Sequence, residues 1–282
     1  MAIRTTRHSL LLDVGGTYIK CSDGRSIPID SGGSMEEIRS ALKSAVGNLS
    51  GIREVGVAIP GPFDYKKGIF LMKHKFQSVY GESFASLVDS PASVRFRYMH
   101  DVNCMLLGEL QSGICDKYDN VALISLGTGL GFSMSLNHQI QVNPSGSPLY
   151  TIFRYPYKDG ILEDYVSKRG ILKCYADLSG TSRNGISVFD LSKMARSGDK
   201  TAEECFSSTG HILGKEIRPI LAKFNIQCLL FGGQISKSFD LMEEAVRSEL
   251  LGIDALKSIS SIDDIDDATF NGLRSLLHNC YC

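Results

Sequence analysis

Tryptophan is absent from the 282 residues, proline is scarce at eight, and no two of the eight cysteines form a C-x-x-C pair. Without that spacing there is no zinc ribbon or thioredoxin-type redox centre, and a chain of this length needs no disulfide framework. Cys280 and Cys282, at the very end, read as a frayed tail rather than a metal clip. No apolar run approaches the ~20 residues of a membrane span. The longest near the N-terminus, Leu10–Leu12, is cut by Asp13 and is too short for a secretory signal. Charge of one sign is not in excess either: 30 Lys+Arg against 31 Asp+Glu leaves a net −1. No general basic surplus is available to drive binding to a nucleic-acid backbone. The expectation is a soluble, cytoplasmic protein with no membrane and no nucleic-acid partner. What is present, 43% hydrophobic residues over this length, suffices for two domains with a core each.

Hydrophobic periodicity gives an α/β order. Leu10–Val14 reads as a buried strand, Gly15-Gly16-Thr17 as a turn and Tyr18–Cys21 as a returning strand. Ser34-Met-Glu-Glu37 is a capping-box pattern, with Ile38, Leu42, Ala45, Val46 and Leu49 at helical spacing and Gly51 as the stop. Strands are expected at Val55–Ile59, Val94–Tyr98, Val121–Leu126, Phe132–Leu136 and Ile226–Phe231. Helices are expected at Asp101–Leu110, Thr201–Phe224, Ser238–Leu250 and Asp266–Leu277. One plan occurs twice: an apolar strand, a Gly/Thr turn and a returning strand, first at Leu10 and again at Leu123. Two related lobes are therefore expected, with the hinge near Gly108–Asn120.

The repeated turn is where chemistry can sit. Glycines let backbone N–H groups approach a ligand, and phosphate oxygens suit such a concavity. Thr17 and Thr128 add hydroxyls, and Asp13 at a strand end could hold a hydrated Mg²⁺. One such loop alone reads as a tight hairpin; two of one design favour a nucleotide phosphate clamp. The P-loop pattern is absent, and Gly127-Thr-Gly129-Leu-Gly131 leads into a strand, not the helix of a dinucleotide-binding fold. Asp101 also stands where a helix N-cap would, a role worth about 1 kcal/mol. His211 reads as structural, and the acidic run Asp263–Asp267 as favouring the N-terminus of the last helix.

Five segments in order, Asp13–Thr17, Pro60–Asp64, His100–Asn103 with Leu107–Glu109, Leu126–Gly131 and Phe231–Ser236, resemble the ROK family of repressors and sugar kinases. The resemblance implies a two-lobed actin-like (ribonuclease H-like) ATPase fold with an interlobe cleft. Residues 1–110, joined by about 264–282, would form the small lobe and 111–263 the large one. It implies an ATP-dependent kinase of a hexose or amino-sugar, with Asp101 as the base that deprotonates the sugar hydroxyl. Gly15, Gly16 and Thr17 would bind phosphate with Gly127, Thr128 and Gly129; Gly232 and Gly233 would pass the adenosine, and Asp13 would accompany Mg²⁺. Sugar contacts would fall to Gly61, His100, Asp101, Ser147, Tyr150 and Glu163, with a homodimer as the expected assembly.

The pattern also breaks. Gly146–Glu163 contains no Cys and no His, so the family's structural zinc is not expected. Ser147–Tyr150 replaces a Glu-Ile-Gly-His sugar motif, His100 replaces an Asn, and Tyr18 stands where Lys is common. Exchanged hydrogen-bonding partners change which sugar binds. His74, Gln77, Tyr150, Tyr155 and Glu163 are candidates for a replacement pocket. The alternative is a non-catalytic sugar- or nucleotide-sensing regulator. Asp13 comes too early for a preceding DNA-binding helix-turn-helix, so the regulator would act through a protein. A filament-forming or chaperone-type ATPase is a third reading, disfavoured by the Asp101 motif.

Overall fold

Alternation of apolar residues decides which face of each strand is covered. A computed structural model describes residues 9–180 and 185–278, so the Cys280/Cys282 tail lies outside the described residues. The chain divides into two units. The first takes the described residues up to Cys115, Gln139–Leu149 and the chain from Asp266; the second takes Asp116–His138 and Tyr150–Ile265. The first unit thus includes 139–149, which lies inside the span 111–263 expected for the second lobe.

The first unit is built on β1 (Ser9–Val14), β2 (Tyr18–Cys21), β3 (Ser26–Pro28), β4 (Glu54–Ile59) and β7 (Arg95–His100), in the order β3-β2-β1-β4-β7. Strands β1, β4 and β7 are parallel; β2 and β3 fold back antiparallel. Leu10, Leu12, Val55 and Val57 pack with Ile38, Leu42, Ala45 and Val46 of helix α1 (Met35–Val46) on one face. Leu11 and Ala58 point the other way, to Cys104 of α3 (Asp101–Glu109) and to Leu273, Leu276 and Leu277 of the C-terminal helix α9 (Ile265–His278). Each large aliphatic side chain so buried contributes about 1.5–3 kcal/mol. A twelve-residue helix is marginal alone, so its covered face holds α1 in place. The capping box of Ser34 and Glu37 forms as expected, but the helix ends at Val46 with Gly47 as its cap, not Gly51. A small hairpin, β5 (Phe63–Asp64) with β6 (Ile69–Phe70), and the short α2 (Phe84–Leu87) complete this unit's regular elements among the described residues.

The second unit repeats the plan. β8 (Val121–Leu126) pairs antiparallel with β9 (Leu130–Leu136), and beyond it β13 (Cys228–Gly232) and β14 (Ser258–Ser261) run parallel. After β9 the chain enters the 139–149 segment of the first unit, which opens with β10 (Gln139–Ile140). Then come the hairpin β11 (Pro156–Tyr157) and β12 (Gly160–Ile161) and helices α4 (Leu162–Val166), α5 (Lys168–Ser179), α6 (Val188–Arg196) and α7 (Lys200–Lys223). Helix α7 buries Phe206, Leu213 and Ile217 in one core with Ile124 and Leu126, and it continues past Pro219 for a further turn. The helix expected over Ser238–Leu250 is in fact two pieces, a 3₁₀ stretch Gln234–Leu241 and α8 (Glu243–Leu250), separated at Met242.

Candidate active site

Parallel strands β1, β4 and β7 end along one edge of their sheet, where open α/β sheets bind ligands. Asp13 pairs with Ala58 across β1 and β4, and Ile59 with His100 across β4 and β7. That edge therefore carries Asp13, the Pro60-Gly61 turn and the His100–Asp101 junction. His100 is the N-cap of α3 and Asp101 its first helical residue, so the capping position falls one residue earlier than the sequence suggests. One carboxylate oxygen of Asp101 accepts from the Val102 amide at 2.7 Å and lies 2.7 Å from Nδ1 of His100.

The two carboxyl groups are tuned apart. Surrounding protein disfavours the Asp101 charge, although the side chain itself keeps 43% of its surface open. His100 by charge and hydrogen bond, the Val102 amide and the Lys75 ammonium outweigh that burial and hold the carboxyl below its ordinary value. Asp13 is pushed up to about 7, first by burial, then by the Asp101 charge; Lys20 opposes the rise and Asp266 adds to it. Lys20 is itself ion-paired with Asp266 at the start of α9. Beside this pair the β1–β2 turn closes with the Gly15 amide donating to the Tyr18 carbonyl at 2.9 Å. A Cβ on Gly61 would stand 3.3 Å from both the His100 ring and the Tyr65 hydroxyl. Gly146 packs on Tyr65, and its carbonyl lies 3.5 Å from the amide nitrogen of buried Asn103, which brings the Ser147 loop to the same neighbourhood. Asp13, Gly15–Thr17, Gly61, His100, Asp101 and Ser147 thus all belong to the first unit.

Gly127, Thr128, Gly129, Glu163, Tyr150, Gly232 and Gly233 belong to the second. There the Gly127 amide donates to the Gly129 carbonyl at 3.0 Å, closing the β8–β9 turn. Gly233 has φ 81°, and a Cβ on it would come within 2.3 Å of the Leu126 carbonyl oxygen. Only glycine lets the turn after β13 lie so close to the strand leading into the Gly127 turn. Glu163 accepts from the Leu130 amide at 2.9 Å and meets Arg169 at 3.3 Å, so its carboxylate braces that turn. Tyr150 packs edge-on to Phe224, ring centres 4.9 Å apart, and Tyr155 lies half-buried against the same core. His211 meets Glu249 at 2.9 Å. Among the described residues no group of three or more His, Cys, Asp or Glu is placed to hold a metal, and no helix is long and apolar enough to cross a membrane.

Three residues of the first site escape the sequence reading: Lys20, Asp266 and Lys75. Asp266 was visible only as part of an acidic helix start, and Lys75 sits between His74 and Gln77, both of which were singled out.

The sequence profile of the ROK family matches residues 31–148 and 157–258. The chain is 23% identical over 210 residues to a xylose repressor of Bacillus subtilis, covering 71% of this chain and 53% of that one, so it spans about half the repressor's length. It is 22% identical over 247 residues to an N-acetylmannosamine kinase of Shigella boydii, covering 80% and 83%. A ROK family glucokinase from Streptomyces griseus, solved with glucose and AMPPNP, superposes with a TM-score of 0.78 at 20% identity over 96% of this chain and 99% of that one. The fold is that of the actin-like ATPases to which these sugar kinases belong. With both halves matched and the same architecture throughout, the chain belongs to the ROK family.

Proposed function

We propose that the chain is an ATP-dependent carbohydrate kinase acting on a hexose or amino-sugar. The observation that carries this reading is the placement of Asp101, kept ionised and partly open, at the same sheet edge as Asp13 and the Gly15–Thr17 turn. An ionised carboxylate can accept the proton of a sugar hydroxyl as that oxygen bonds to the γ-phosphorus. Meanwhile the bond to the β–γ bridging oxygen breaks and ADP departs. Gly15, Gly16 and Thr17 would bind phosphate from the first unit. Gly127, Thr128 and Gly129 would do so from the second, with Gly232 and Gly233 beside the adenosine. Gly61, His100 and Ser147 are the sugar contacts assigned here. Tyr150 is given a packing role and Glu163 a bracing one.

Asp13 fits a hydrated Mg²⁺. The Asp101 and Asp266 charges act against its own with Lys20 opposing them, and Mg²⁺ takes one or two carboxylates while keeping waters and phosphates as its remaining ligands. Bound there with the nucleotide, the ion would supply charge neutralisation for the phosphates. The test is ADP release from Mg-ATP across a panel of hexoses and N-acetylated amino-sugars. Asp101→Asn is expected to lower kcat by roughly 10²-fold or more. Full activity in that variant, or no sugar-dependent ADP release by the unaltered protein, refutes the reading.

Similarity to the xylose repressor over 71% of the chain favours a second reading, a sugar- or nucleotide-sensing regulator without turnover. Stabilisation by ligand with no ADP release would support it.

A further inference from the structure

Between the exposed His74 and the buried Phe76 the chain adopts a conformation that costs energy. Phe76 has φ 52° and ψ 29°, the left-handed region that bulky side chains rarely enter. Such a residue persists where its surroundings over-determine it. Here two constraints do so. The Phe76 ring is fully buried, 5.5 Å from the ring of Phe70, and its amide donates to the Ser31 carbonyl at 2.6 Å. Ser31 in turn donates its amide to the Gly16 carbonyl at 3.1 Å. The strained residue is thereby fastened, through one intermediate, to the turn between β1 and β2.

The consequence falls on the preceding side chain. The Nζ of Lys75 lies 3.9 Å, and its Cε 4.0 Å, from where a Cβ on Gly16 would stand. Lys75 is half-buried, and among the described residues its ammonium makes no hydrogen bond and no ion pair. The other lysine near this turn, Lys20, is already committed to Asp266. Lys75 also acts at the other end of the site, where its charge favours the ionised form of Asp101. A cation held against a glycine turn, and within electrostatic reach of the proposed base, stands where negative charge must be accommodated during transfer.

We propose that Lys75 is a catalytic residue whose ammonium binds and neutralises the γ-phosphoryl group of the nucleoside triphosphate beside the Gly15–Thr17 turn. This rests on the kinase reading and deepens it. In the step, the acceptor oxygen bonds to the γ-phosphorus, and the bond from that phosphorus to the β–γ bridging oxygen breaks with its electron pair going to the diphosphate. The acceptor proton goes to Asp101. Lys75 forms and breaks no covalent bond and keeps its protons; it offsets charge on the equatorial and bridging oxygens, where fixed charges act most strongly.

The test compares the unaltered protein with Lys75→Met, Lys75→Gln and Lys75→Arg. Calorimetric titration with Mg-AMPPNP and Mg-ADP is paired with sugar-dependent ADP release. Loss of the ammonium should weaken AMPPNP about tenfold or more while ADP affinity stays within about twofold, because ADP lacks the group contacted. In Lys75→Met and Lys75→Gln kcat should fall on the order of 10²-fold, with partial recovery in Lys75→Arg. Equal AMPPNP affinity with and without the lysine, in variants that melt like the unaltered protein, overturns the proposal. If the unaltered protein turns over no sugar and yet the AMPPNP preference still depends on Lys75, the kinase reading falls and the assignment of Lys75 to the terminal phosphate stands. Binding of neither nucleotide by the unaltered protein sinks both.

Discussion

Asp13 is held in a conflict that a pH titration can read. Its carboxyl rises from 3.8 to about 7 because burial and the Asp101 charge both oppose ionisation. A carboxyl with a higher pKa folded than unfolded favours the fold fully below about pH 4. That contribution fades as the pH rises through about 7. Asp13→Asn removes the conflict, so it is expected to raise the melting temperature at pH 8 by several degrees and to change it little at pH 4. About 2–4 °C per kcal/mol applies to chains of this size. Added Mg-nucleotide should stabilise the unaltered protein increasingly as the pH climbs and lose that trend in the variant. A pH-independent effect of Asp13→Asn would contradict the burial argument. Asp13 and Asp101 were readable in the sequence because each lies at the junction of a predicted strand with a turn or helix. Lys75 was not, since its direction depends on a left-handed Phe76 and a hydrogen bond to Ser31, 45 positions earlier. The Glu163 carboxylate accepts from the Leu130 amide, a pairing that no local pattern encodes.

Elements with a clear period were readable: α1 from its capping box and apolar face, β1, β4 and β8 from their apolar runs. The two-residue strands of the β5–β6 and β11–β12 hairpins are too short to show any period, and Met242 breaks what looked like one helix. The contact that ties α3 to α9 was also hidden. A Cβ on Gly108 would stand 1.8 Å from the Ala268 carbonyl oxygen, and one on Gly272 1.9 Å from the Cys104 carbonyl oxygen. The two helices therefore touch backbone to backbone, where neither partner can yield by rotating a side chain. Overpacking of this kind typically costs about 1–3 kcal/mol and at times more. Gly272→Ala is expected at or above the top of that range, read as a shift in the denaturant midpoint. Because α3 opens with Asp101 and α9 carries Asp266, the variant should also lose activity beyond its loss of stability. Wild-type stability in Gly272→Ala would show that the helices can part without cost.

At the scale of the whole chain, the echo between Leu10 and Leu123 is a duplication of architecture. β2-β1-β4-β7 and β9-β8-β13-β14 share strand order and direction, each with one antiparallel return beside two parallel neighbours. The strand–turn–strand signature could be seen because it is local; the 139–149 segment could not be assigned, because its place depends on Asn103 and Tyr65 rather than on its own sequence. If the Gly127–Gly129 turn binds nucleotide phosphate as proposed, damage confined to it should separate the two ligands. Thr128→Val keeps the side chain's size and removes one hydroxyl, and Thr128 is exposed, so the fold should be unaffected. A ligand at 100 times its Kd stabilises by about 2.7 kcal/mol. In melts with each ligand at a fixed concentration, Thr128→Val should lose much of the gain from Mg-AMPPNP and keep that from the sugar, whose proposed contacts lie in the first unit. Gly61→Ala, which crowds the His100 ring, should do the reverse. Should Thr128→Val retain the full nucleotide effect, the second turn is a plain hairpin and the phosphates are held by the first unit's residues.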